Sequence, residues 1–236
     1  MCGRFTLRLP PQALAEFLDM LYELESLREW KPRFNIAPTT QVLCVRETAQ
    51  QGREFFHAKW GLIPSWSKDE KIGVSCINAR AESLHTKPAF RSAFQQRRCL
   101  VVASGFYEWQ KVGSQDKQPH YITLKSGDPL LFAGLWERWQ PTPQSPAIES
   151  CTICTTSANT FMQSFHERMP VILPRGMAAP WLDPTNDEPD TIKPLLAQFP
   201  AEEMQAWPVS PRVNSVRNDD PSLTQPVRPP ASLFHE

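Results

Sequence analysis

The sequence predicts a mixed α+β fold. Short β-favouring runs alternate with short helical ones, and their irregular order lacks the regular strand–helix rhythm of a doubly wound parallel sheet. The 24 prolines among 236 residues, about twice the usual share, favour many short elements and ordered loops over long helices. No fixed-period repeat is evident. A chain of this length can bury a substantial core, and eight tryptophans and thirteen phenylalanines supply large groups for it.

In chain order, Arg4 to Arg8 reads as a short strand that anchors an end otherwise prone to fray. Pro10 and Pro11 open a helix where a missing N–H costs nothing, and Leu14, Phe17, Leu18 and Leu21 put its apolar face inward. Arg33 to Thr40 reads as a loop leading into a strand, Gln41 to Val45. A second strand, Phe55 to Trp60, runs into Gly61-Leu62-Ile63-Pro64-Ser65-Trp66, where glycine and proline break regular structure. Cys76 to Asn78 reads as a strand end, with Asn78 capping a helix from Ala79 to Leu84. Pro88 to Gln96 reads as a further short helix.

Cys99 to Ala103 is an apolar strand, Gly105 turns the chain, and Phe106 to Trp109 returns as another. Tyr121 to Leu124 and Leu130 to Leu135 continue the β pattern, and Gln140 to Pro146 is a Pro-rich connection. The strand Cys151 to Thr156 leads into a helical stretch, Ala158 to Phe165, and then a strand, Val171 to Leu173. Ala178 to Leu182 and Thr191 to Gln198 read as short helices, and Met204 to Val209 as a last strand. One domain over residues 1–217 is expected, followed by a polar, Pro-rich tail over 218–236.

Lysine plus arginine and aspartate plus glutamate both number 25, so no global field draws the chain to nucleic acid or membrane. A polyanion would need a local cluster. No secretory leader opens the chain and no apolar run reaches the roughly 18–20 residues of a membrane span. Six scattered cysteines suit a reducing compartment. Cys151 and Cys154 have C-x-x-C spacing, but on a strand residues three apart face opposite ways, and no second pair completes a zinc site. The expectation is a soluble, cytoplasmic protein without metal or cofactor.

The chemistry starts at Cys2. Removal of Met1 would leave an α-amino group, with a reference pKa of about 7.7–8.0, beside a thiol of about 8.5. This 1,2-aminothiol condenses with an aldehyde to an imine and closes through sulfur to a thiazolidine; an internal cysteine, its nitrogen in an amide, cannot. Gly3 leaves the approach open, and Arg4 sets a positive charge nearby that is expected to favour thiolate. The plain alternative is a cysteine that merely happens to stand at a frayed terminus.

Four further positions carry polar groups in apolar or helix-start surroundings. Glu108 lies in Gly105-Phe106-Tyr107-Glu108-Trp109, where desolvation would raise a carboxyl toward the range useful for proton transfer; an outward strand glutamate or a buried ion-pair partner fits equally. His166 is a neutral-pH shuttle, or else a cap or a satisfied core histidine. Asn78 and Arg80 flank a helix start, which favours anions, or are ordinary cap and surface residues. No Gly-rich phosphate loop, G-x-S-x-G or H-E-x-x-H is present.

As an ordered set, the motifs are recognisable. Met1-Cys2-Gly3-Arg4-Phe5, Arg33-Phe34-Asn35-Ile36-Ala37-Pro38-Thr39 and Trp60-Gly61-Leu62-Ile63-Pro64-Ser65-Trp66 resemble the opening of the SOS-response-associated peptidase (SRAP) family. Asn78-Ala79-Arg80-Ala81-Glu82-Ser83, Gly105-Phe106-Tyr107-Glu108-Trp109 and Ser164-Phe165-His166-Glu167-Arg168-Met169-Pro170 continue the match, which covers the chain to about Pro211. The resemblance implies a single compact α+β domain, with a β-barrel-like mixed sheet core flanked by short helices.

The activity it implies is capture of abasic sites in single-stranded DNA, including single-strand/duplex junctions, by a monomer through Cys2. The resemblance further implies Glu108, His166 and Asn78 as catalytic residues, and Arg4, Arg80, Trp66, Pro38 and Thr39 as DNA-binding residues. The family name points to an autopeptidase step, the release of Met1. Two rivals remain: an N-terminal-nucleophile amidohydrolase using the same cysteine, and a non-catalytic reader of single strands or modified bases.

Overall fold

The computed structural model describes residues 2–20, 30–48, 52–113 and 116–227. Its strands follow from where apolar residues run unbroken and where they alternate. Strand β6 (Arg98–Ala103) is buried throughout, as expected of a strand with both faces covered, and it lies inside the larger of two sheets. Around it run β3 (Gln41–Thr48), β4 (Gly52–Trp60), β9 (Leu130–Trp139), β10 (Ile148–Ser157), β11 (Arg168–Pro170) and β5 (Asn78–Arg80). Their order is β11-β10-β4-β3-β6-β9, with β5 parallel to β10. Strand β10 also pairs antiparallel with β9 and parallel with β4, so the pairings return on themselves.

The second sheet is antiparallel, in the order β12-β8-β7-β1-β2. It joins β1 (Phe5–Leu7), β2 (Arg33–Ile36), β7 (Gly105–Val112), β8 (Asp116–Leu124) and β12 (Met204–Pro208). Among the described residues four short α-helices flank the sheets: α1 (Pro11–Phe17), α2 (Arg91–Gln96), α3 (Ala178–Leu182) and α4 (Pro189–Ile192). The expected α+β architecture is present, as two sheets rather than a single barrel wall. Phe5 joins them, its ring 5.1 Å from Trp60 and 6.1 Å from Phe132, while Phe106 meets Phe132 at 5.9 Å. Leu14 and Leu18 of the α1 region are buried as its spacing predicts; Leu21 lies outside the described residues.

Several elements differ from the sequence reading because tertiary pairing overrides local preference. Residues 33–36, expected in a loop, form β2 against β1. The helix expected from Ala79 is replaced by β5 and a single 3-10 turn, Ala81–Ser83, because β10 offers its edge to Asn78–Arg80. Within 158–165 only Met162–Ser164 is helical, again a 3-10 turn. The strand expected at 171–173 lies just before, as β11, and Ile172 contributes one bridge to Phe132.

The described part of the expected tail, 218–227, packs on the fold. Leu223 is fully buried, Asn35 Nδ2 donates to the Asn218 carbonyl at 2.7 Å, and Trp207 Nε1 to that of Thr224 at 2.8 Å. These side chains give the polar segment partners that composition alone does not reveal. Residues 228–236 lie outside the described ones. Among the described residues no helix is long and apolar enough to cross a membrane.

One glycine pair sets the turn after β4. Gly61 has φ +137, and a Cβ there would stand 2.6 Å from the Gly73 carbonyl oxygen, closer than any side chain tolerates. Arg98, only 4 % exposed, fastens the helical periphery to β6. Its guanidinium donates to the carbonyls of Trp181 (2.6 Å), Phe94 (2.9 Å), Gln95 (2.7 Å), Asn186 (2.7 Å) and Asp183. Arg98→Met leaves these acceptors without their donor and is expected to cost about 3 kcal/mol. Urea unfolding checks this, and Arg98→Lys, with three donors and no fork, should recover only part.

Candidate active site

Strand β1 delivers Cys2 to β7. The ladder pairs Phe5 with Phe106 and Thr6 with Gly105, and Tyr107 N–H donates to the Arg4 carbonyl at 2.9 Å. Moving back from Phe5 toward Cys2 therefore runs forward along β7 toward Glu108. Cys2 is fully buried and Glu108 is 4 % exposed. Burial pushes the Cys2 thiol up to about 12, and the negative charge of Glu108 adds to the rise. The thiol is thus protonated at neutral pH.

Asn78 approaches from the other sheet. At the start of β5, in register with Ile153 of β10, it donates from Nδ2 to the Cys2 carbonyl at 2.9 Å. Its Oδ1 is buried with no hydrogen-bond partner among the described residues. Asn78 therefore caps no helix; it holds the backbone of Cys2 and leaves that buried acceptor unused.

His166 follows the 162–164 turn and precedes β11, which pairs with β10 at Ser157↔Arg168. Its Nδ1 accepts from the Arg168 backbone N–H at 2.9 Å, so in the neutral ring the proton sits on Nε2. The neighbouring Phe165 packs against the His120 ring with centroids 5.0 Å apart, and His120 faces Glu108 across β7 and β8. Of the four expected catalytic residues, Cys2, Asn78 and Glu108 meet where the β1 end, β5 and β7 converge, and the turn carrying His166 reaches the strand opposite Glu108 through Phe165. β10 positions two of them.

The cationic residues divide. Arg4 favours the thiolate only through its backbone N–H. Its guanidinium does not serve the thiol: Nη1 donates to Asn35 Oδ1 and to the Val213 carbonyl, both at 2.7 Å. The expected thiolate is corrected accordingly, since the guanidinium faces the C-terminal segment while burial and Glu108 act on the sulfur. Burial also lowers the pKa of Arg4 itself. Arg80 is exposed at the end of β5.

Arg168, which the sequence reading quoted in a motif without a role, grips Glu82 through both carboxylate oxygens and donates to the Thr155 carbonyl at 2.6 Å. This pairing holds the Glu82 carboxyl below its usual range. Its signal in the sequence was only its place two residues after His166. His120 had no signal, for register alone sets it opposite Glu108.

Of the remaining expected contacts, Trp66 and Thr39 line two hollows. Trp66, 60 % exposed, borders a groove of about 460 Å³ with Pro64, Pro88 and Arg91. Thr39 follows Pro38 between β2 and β3, with φ +69, a left-handed conformation uncommon outside glycine. Its N–H donates to the Trp60 carbonyl at 2.8 Å. It lines a hollow of about 200 Å³ with Lys59 and Lys71. Among the described residues no group of three or more His, Cys, Asp or Glu side chains could hold a metal ion.

Comparison with known proteins adds a family. The model described as SOS response associated peptidase (SRAP) matches residues 1–216. The abasic site processing protein YoqW of Bacillus subtilis (strain 168) is 41% identical over 230 residues, covering 95% of this chain and 99% of that protein. The abasic site processing protein HMCES of Rattus norvegicus is 31% identical over 273 residues, covering 96% and 76%. Among solved structures, a protein from Bacteroides thetaiotaomicron superposes with TM-score 0.84 at 24% identity, covering 96% of this chain and 100% of that one, a likeness of fold. A phage-related protein from Bordetella bronchiseptica has TM-score 0.70 at 31% identity, covering 88% and 94%.

Proposed function

Because the chain belongs to the SOS response associated peptidase family, we propose that it recognises abasic sites in single-stranded DNA and holds them through a thiazolidine formed by Cys2. The observation that carries this reading is the setting of Cys2, whose carbonyl is held by Asn78 and whose thiol feels the charge of Glu108. Release of Met1, by the same site acting on itself, leaves the amine and thiol on one residue.

The abasic sugar rests mostly as a closed hemiacetal. Glu108 moves a proton from the C1′ hydroxyl to the ring oxygen and opens it to the aldehyde. The Cys2 amine adds to C1′, and the departing hydroxyl takes a proton from solvent and leaves as water to give a protonated imine, with the His166 Nε2–H donating a hydrogen bond to that oxygen. The Cys2 thiol then adds to the same carbon and its proton passes to Glu108, closing the five-membered ring. One water is lost overall. A thiol pushed up to about 12 does not supply thiolate in advance, so a base beside it is needed at the moment of attack. Asn78 Oδ1 is the acceptor that orients the sugar or the amine, and such positioning lowers the barrier without new chemistry.

With zero net charge, the strand is held locally. Arg80 at the end of β5 and the lysines beside Thr39 and Pro38 meet phosphates, and Trp66 receives a stacked base. Arg4, anchored on Asn35 and Val213, holds the β1 end and offers the strand only what its second terminal nitrogen can reach.

The test is intact mass. Mixed with an abasic single-stranded oligonucleotide, the protein should shift to the sum of the Met1-less chain and the oligonucleotide less one water, with no shift on an undamaged strand. Capture by a chain that retains Met1, or turnover of small amides without adduct, overturns the reading.

A further inference from the structure

Strand β8 carries a second imidazole toward the acid/base. His120 stands directly opposite Glu108 in the β7–β8 ladder. Residues paired this way project to the same face, with Cβ atoms about 4.5–5.5 Å apart. The ring is clamped on both sides. Phe165, the residue before His166, packs against it at 5.0 Å, and Nδ1 lies 3.1 Å from the Gln118 carbonyl. A carbonyl only accepts, so the proton sits on Nδ1 and Nε2 bears the lone pair. Half-burial lowers the pKa of the ring, which leaves it neutral at pH 7.

Resting on the function proposed above, we propose that His120 is a positioning residue for Glu108: held by Gln118 and Phe165, it presents Nε2 as the acceptor that orients the Glu108 carboxyl when that group carries a proton. When Glu108 has taken the proton of the Cys2 thiol, its O–H turns to donate to Nε2 and its other oxygen stays toward the sugar. When Glu108 gives the proton up, the imidazole is unchanged, so no net charge moves through His120. An imidazolium in the same place would favour the carboxylate and oppose the acid form. The ionisable groups facing His120 are Glu108 from β7 and, beyond Phe165, His166; β12 sets Pro208 opposite.

The experiment is single-turnover capture of an abasic oligonucleotide by the full chain, its Met1-less mass verified, from about pH 5 to 8. His120→Phe, which keeps a ring against Phe165, should be slower by roughly tenfold at neutral pH, less than the loss of a full acid/base. His120→Gln, which keeps an acceptor, should recover most of that rate.

In the wild type the slope of log rate against pH should steepen from about 1, set by the Cys2 amine, to about 2 below the usual histidine range. Both variants should lose that steepening, which a merely structural role would not remove. Wild-type rate and steepening in His120→Phe, or persistent steepening in His120→Gln if the phenylalanine variant does not fold, overturns the inference alone. A wild type that forms no adduct overturns the proposed function and this inference with it.

Discussion

Cys2→Ala is expected to leave a folded protein that forms no stable adduct with abasic DNA. Once its Met1-less mass is verified, the alanine variant has the residue-2 amine, so an imine can still form, but it hydrolyses because nothing adds to its carbon. Borohydride should trap this imine while the untreated gel shows no crosslink. Cys2→Ser, with a poorer nucleophile, should behave similarly. The fold should survive, since replacing this fully buried but small side chain costs about 1 kcal/mol. An undiminished adduct in the alanine variant would remove Cys2 from the mechanism.

Glu108→Gln should slow capture by roughly 10²–10⁴-fold, the usual contribution of a positioned general acid/base. The change is nearly isosteric, so β7 and its ladder to β8 remain. A second readout moves the other way. The charge of Glu108 is one cause of the raised Cys2 thiol pKa, so its removal lowers that pKa and speeds thiol alkylation at alkaline pH. Slower capture with easier alkylation separates loss of the acid/base from a collapsed site. Unchanged capture would reduce Glu108 to the buried strand glutamate that its sequence context equally allowed.

Much of the strand content was legible because burial left local signatures. Cys99 to Ala103 reads as an apolar run and becomes β6, buried along its length; Gly105 to Trp109 begins β7. The helical signals at 79–84 and 158–165 misled because short segments are decided by the edge they meet. Asn78–Arg80 is drawn into β5 by the open edge of β10, whereas an isolated turn of helix has too few bonds to compete.

Among the site residues, Cys2 and Glu108 stood out by chemistry and by apolar setting. Asn78 stood out as a cap, for a reason the structure replaces with a bond to the Cys2 carbonyl. His120 was invisible in Lys117-Gln118-Pro119-His120, where nothing local distinguishes it from a surface histidine.

The sequence by itself determined the covalent possibilities: an amine and a thiol on one carbon framework at residue 2, the residue types able to move protons, and the ordered motifs that mark the family. Those depend on bonds along the chain. Only the tertiary structure decided that the Cys2 thiol stays protonated, that Arg4 turns to Asn35 and Val213 instead of the sulfur, and that His120 confronts Glu108. Each of those is a matter of desolvation, charge separation or strand register, which pairs His120 with Glu108 across β7 and β8 and brings Arg4 to Val213 and Cys2 to Asn78 from distant parts of the chain.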